Sequence, residues 1–136
     1  MANKALPVPT EAQEQTTLFE WARLQRGKYP EIDLLFHVPN GGSRNRVEAA
    51  RLQAQGVKSG VPDLCLPVPR GRFHGLYIEL KRRRGGRIEP EQTAWLEELI
   101  KQGYSVAICR GWEAAAEIIL RYLEGKNDGE KTSGSF

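Results

Sequence analysis

The sequence has little cysteine, one methionine, two histidines and no long apolar run. Each shortage excludes something. Two cysteines, Cys65 and Cys109, cannot build a disulfide scaffold and lack the spacing of a metal site. Both sit in apolar, strand-like runs, which predicts buried, reduced thiols in a cytoplasmic protein. The longest apolar stretches are a handful of residues, far below the ~20 needed to cross a bilayer, so no membrane span is expected. The first residues, MANKALPVPT, contain no apolar segment of the kind a signal peptide needs.

What is present is ordinary globular material. Hydrophobic residues make up 40% and charged residues 27% of the 136, which argues against a wholly disordered chain. A chain of this length predicts one domain with a real core. The net charge of +3 hides an asymmetry: residues 44–87 hold 11 Lys/Arg against 3 Asp/Glu, and the remainder is net acidic. A basic middle in an acidic chain predicts a surface for a polyanion such as nucleic acid. The plainer possibility is a solvated charged face.

The pattern reads as α-β-α-β-β-α-β-α, a mixed α/β layer. Residues 1–9, with Pro7 and Pro9, read as an extended arm. Thr10 and Gln13 form a capping-box start for a first helix from Glu11 to about Arg26, with Gly27 as its stop. Lys28 to Asp33 reads as a turn, and residues 34–38 (LLFHV) as a strand. Ser43 can cap a second helix, from about Arg44 to Gln55. Asp63–Val68 and Gly75–Lys81 read as an antiparallel pair. Pro90 suits the first turn of a third helix, which Gly103 ends. A strand over Tyr104–Cys109 and a helix over Trp112–Leu123 follow. Residues 125–136 are polar and rich in Gly and Ser, and predict a disordered tail.

The chemistry concentrates around the central pair of strands. Residues two apart on a strand share a face, so Glu79 and Lys81 point one way while Leu76, Ile78 and Leu80 point the other. A normal hairpin places Asp63 beside them. Two carboxylates this close repel unless a cation sits between them. A hard divalent ion takes oxygen ligands, keeps several waters and can activate one of them at a phosphate. A neighbouring lysine can hold the attacking water and stabilise developing charge. That is a kit for phosphodiester hydrolysis. On a helical wheel Glu11 heads the stripe carrying Leu18 and Ala22, so it is a candidate third ligand, with Glu14 as the substitute. The alternative is that Glu11 simply favours the positive helix N-terminus. His37 could act as a base or touch phosphate, or make only local hydrogen bonds. Asn40, Ser43 and Arg44 could meet phosphate where the second helix begins. Arg82, Arg83, Arg84 and Arg87 could grip a DNA backbone, or form a solvated loop. Trp95 and Trp112 read as core.

Together, Glu11 and Gln15 in the first helix, HVPNGGSR from His37, GVPDL from Gly60, IELK from Ile78 and the downstream Gln92 resemble the VRR-NUC family of the PD-(D/E)XK nuclease superfamily. The resemblance is to small stand-alone members of the kind phages encode, and covers roughly Glu11 to Ala115. It implies a restriction-endonuclease-like core, a mixed β-sheet flanked by helices, over residues 10–124. It implies that Asp63 and Glu79 bind Mg²⁺ or Mn²⁺ with the Leu80 carbonyl, that Glu11 completes the metal shell and that Lys81 serves the attacking water. Gln92 would support the site, with Gln15 part of the same pattern. It further implies a homodimeric endonuclease acting on branched DNA such as four-way (Holliday) junctions, leaving 5′-phosphate and 3′-hydroxyl ends, in the host cytoplasm if phage-encoded. The reading from another class is a nucleic-acid-binding accessory protein with an idle fold, in which Asp63 and Glu79 would be ion-pair partners.

Overall fold

A computed structural model describes residues 6–39 and 45–126. Helix α1 spans Glu11–Leu24 and starts with the anticipated capping box, Thr10 and Gln13 exchanging side-chain and backbone hydrogen bonds. A 3₁₀ helix over Pro30–Leu34 occupies the segment read as a turn; Pro30 fixes φ at its first position. That 3₁₀ turn shortens the next strand, β1, to Phe36–His37. Helix α2 covers Arg46–Ala54. Its cap is Asn45, whose Oδ1 accepts from the Val47 and Glu48 N–H groups, so Ser43 is not the capping residue. Strand β2 (Leu64–Leu66), β3 (Leu76–Lys81), α3 (Pro90–Lys101), β4 (Ser105–Arg110) and α4 (Trp112–Leu123) complete the order.

The sheet order is β1-β2-β3-β4. β1 and β3 are antiparallel to β2, with Leu64 opposite Ile78. β4 is parallel to β3, and α3 makes the crossover between them. The period of β3 divides the core as its sequence requires. Leu76, Ile78 and Leu80 pack with Leu18 and Ala22 of α1 and Ala115, Ile119 and Tyr122 of α4. On the other face, Tyr77 and Val106 pack against Leu96 and Leu99 of α3. Each fully buried aliphatic side chain here is worth roughly 1.5–3 kcal/mol. Trp95 and Trp112 are half-buried and pack against these two cores. Tyr122 is fully buried yet satisfied, its hydroxyl donating to the Val68 carbonyl at 2.6 Å. Cys65 and Cys109 are buried free thiols, and burial pushes Cys109 up to about 12. Among the described residues no helix is long and apolar enough to cross a membrane.

Candidate active site

Three strand ends meet at one end of the sheet. β1 finishes at His37, β2 begins just after Asp63, and β3 finishes at Lys81. Extending the β2–β3 register by one residue places Asp63 opposite Glu79. Asp63 lies just outside the ladder, and its Oδ2 accepts the Leu80 N–H at 2.9 Å in place of a strand partner. Its carbonyl accepts from Val38 N at 2.7 Å. The same carbonyl lies 2.9 Å from His37 Nδ1. A carbonyl only accepts, so that contact puts the ring proton on Nδ1 and leaves Nε2 as the basic nitrogen of a neutral His37. The loop before Asp63 is seated by Gly60. At φ +88°, a Cβ there would stand 2.7 Å from the Glu91 carbonyl oxygen, so only glycine lets the loop rest on the start of α3.

Glu79 is 1% exposed. Burial pushes its carboxyl up to about 9; the hydrogen bond to Asp63 and the Asp63 charge push the same way, against Lys81. Its Oε2 has no hydrogen-bond partner among the described residues. Lys81 is buried on the same face, with Nζ 3.8 Å from Glu11 Oε1. Glu11, Gln15, His37, Asp63 and Leu80 line one cleft of about 210 Å³. Asp63, Glu79, Lys81 and Glu11 are thus brought together, with Gln15 and His37 at the rim.

The donor set suits a hard divalent cation. A buried carboxylate oxygen without a partner, facing a second carboxylate, is costly with a proton or with nothing, and less so with a metal between. The set is open, however. Among the described residues no three His, Cys, Asp or Glu side chains already converge as a metal group. Glu11 is engaged with Lys81. A Mg²⁺-type ion keeps several waters and needs no more than one or two carboxylates from the protein.

Glu11 and Glu14 have separate fates. The buried residues of α1 are Glu14, Leu18 and Ala22, four residues apart; Glu11 shares their face but sits at the first residue of the helix and is exposed. Glu14 is 2% exposed and is held by Arg83, with Nε to Oε2 at 2.8 Å and Nη2 to Oε1 at 3.2 Å. Arg83 also donates to Glu113 at the start of α4. Arg83 therefore ties the end of β3 to α1 and α4, and is not free to grip DNA as anticipated. Neighbouring Arg110, which the sequence did not single out, donates to the carbonyls of Arg82 and Gly85 and shapes the basic loop. Arg84 and Arg87 are exposed; Arg87 Nε lies 3.3 Å from Glu89. Gln92 is placed at the start of α3. Its Oε1 accepts the Glu89 N–H at 2.8 Å, closing the capping box of α3. Asn40, Ser43 and Arg44 lie outside the described residues.

A mixed four-stranded sheet with helices on both faces, carrying an Asp opposite a Glu-x-Lys strand end, defines the restriction-endonuclease-like class of nuclease folds. The sequence matches the family model of the VRR-NUC domain over residues 9–113. A solved structure described as a VRR_NUC domain protein is similar at a TM-score of 0.75 and 33% identity, over 88% of this chain and 92% of that one. No curated protein matches the sequence. The chain belongs to the VRR-NUC family, and with membership come a nuclease-type function and DNA as the partner.

Proposed function

We propose that this protein is a metal-dependent DNA endonuclease of the stand-alone, phage type, acting on branched DNA such as four-way junctions as a homodimer. The observation that carries the reading is the Oε2 of buried Glu79, which has no partner among the described residues and lies opposite Asp63 on the face of Lys81. Asp63 and Glu79, with the Leu80 carbonyl and Glu11, would hold Mg²⁺ or Mn²⁺, which would supply charge neutralisation at the scissile phosphate. Lys81 orients the attacking water and places an ammonium beside the charge that develops on phosphate. Its desolvation within the fold strengthens that interaction. Glu11 holds Lys81 in place from α1. His37 Nε2 is available at the rim to receive a proton. Attack by water releases a 3′-hydroxyl and leaves a 5′-phosphate. A two-fold dimer suits a four-way junction, because two symmetric cuts need two sites.

The exposed basic residues Arg84, Arg87, Arg46 and Arg51 would serve equally in one competing reading, an accessory protein that binds DNA without cutting it. A single experiment separates them. A four-way junction, a flap and a linear duplex of equal length are incubated with protein in Mg²⁺, Mn²⁺ or EDTA, beside Lys81→Ala. Paired junction cuts requiring metal and Lys81 are expected. Equal cutting of all three substrates would remove the branch preference and keep the chemistry. Binding without metal-dependent cutting would install the accessory reading.

A further inference from the structure

The connection from β1 to β2 leaves the sheet at His37 and returns at Asp63, so it begins and ends on the wall of the cleft. It carries α2, a nine-residue helix with no buried residue. Helices shorter than ~12–15 residues are marginal in water without a packed face. On α2 only Ala49 and Leu52 are half-buried, and the rest of the helix is exposed. Between α2 and the start of α3 lies a gap of about 280 Å³, bordered by Ala49, Leu52, Gln53, Lys58 and Gln92. The helix therefore stands away from the body.

Its exposed charges have one dominant sign. Arg46 and Arg51 on α2 and Lys58 just beyond it are exposed, against the single acid Glu48. The other basic segment, 82–87, leaves the sheet at Lys81, at the same end. Basic elements thus depart from the cleft on two sides, one after β1 and one after β3. A second copy of this chain would have to bring acid to that surface. A duplex lying across the strand ends would meet it with phosphates.

We propose that the α2 arm is a jaw for the DNA duplex, with Arg46 and Arg51 contacting the phosphate backbone beside the cleavage site. This rests on the nuclease reading and extends it to a surface that touches neither Asp63 nor Glu79. As backbone contacts these arginines position the substrate and do not read its sequence. Their contribution is to duplex affinity, through the phosphate backbone.

The test is the salt dependence of duplex binding in EDTA, where nothing is cut. Each phosphate contact contributes about 0.9 to the slope of log K against log salt. Arg46→Ala/Arg51→Ala should lower the slope by about 2. The control, Arg23→Ala/Arg121→Ala, removes the same charge from exposed last-turn positions of α1 and α4, and should leave the slope unchanged. Circular dichroism reports whether each variant folds. Equal losses in the two variants would show a net-charge effect and overturn the jaw. An unchanged slope with altered sedimentation would make the arm an interface between copies and overturn it too. If the wild-type protein shows no salt-dependent binding, the nuclease reading falls along with the arm; if it binds and cuts while the arm variant matches it, the arm alone falls.

Discussion

Helix α1 lines the cleft at the strand ends and α2 lies in the connection that leaves from them; both are well capped, yet only one is part of the body. Thr10 caps α1 with a full box, and Asn45 caps α2 with two hydrogen bonds. α1 then buries Glu14, Leu18 and Ala22 against the sheet, while α2 buries nothing. Capping decides where a helix starts. Burial decides whether the domain depends on it. α1 carries Glu11 into the cleft on a rigid mount, and α2 offers a charged surface on a loosely held one.

The comparison breaks most visibly in the core. Leu18→Ala should cost about 2–5 kcal/mol of unfolding free energy, while Val47→Ala on α2 should stay within about 0.5 kcal/mol. Urea midpoints of the two variants measure this directly.

The two acids of α1 give the next contrast. Glu14→Gln weakens a buried ion pair and should lower the melting temperature. Glu11→Gln removes an exposed carboxylate, and should leave melting unchanged while reducing metal-dependent cleavage. Thermal melts paired with cleavage rates test the split, and a reversed pattern would exchange the roles assigned to these residues.

Acidity at Glu79 sharpens the account of the cleft. Its folded pKa is raised from the ordinary carboxylate range to about 9. The metal-free protein therefore binds a proton there that the unfolded chain releases. That contribution is fully present at acid pH and is lost as pH rises towards 9. A divalent ion replaces the proton, so Mg²⁺ or Mn²⁺ should raise the melting temperature more at pH 8 than at pH 5. Glu79→Gln should raise metal-free stability at pH 8 and abolish the metal effect. A metal shift that is equal at the two pH values would contradict this picture.

The smallest effects should come from the caps. Thr10→Ala should cost about 1 kcal/mol of global stability. Asn45→Ala should fray α2, seen as faster amide exchange there, without moving the global midpoint.

Much of this arrangement was legible in the residues. The alternation of β3 gave its aliphatic face and its Glu79–Lys81 face, because a strand's period of two admits little else. The capping box gave the start of α1, and IELK after GVPD gave the family. What escaped depends on distant partners. Glu14 fills the core stripe because Arg83, 69 residues away, bonds both its oxygens. A wheel centred on Glu11 cannot contain that fact. Arg83 looked like one of four free arginines until Glu14 and Glu113 claimed it. Gln92 has the spacing of a capping-box residue after Glu89, a signal present in the sequence and outweighed by the resemblance. The short β1 traces to Pro30, whose fixed φ starts a 3₁₀ turn where a plain turn was anticipated.

The most direct test of the central claim is single-turnover cleavage of a 5′-labelled junction by wild-type protein and by Lys81→Ala, with product ends analysed. The account predicts Mg²⁺-dependent cuts leaving 5′-phosphate and 3′-hydroxyl ends, with the rate falling at least about 100-fold in Lys81→Ala while DNA binding persists. Cutting that survives Lys81→Ala unchanged, or junctions bound tightly and never cut in Mg²⁺ or Mn²⁺, would contradict it.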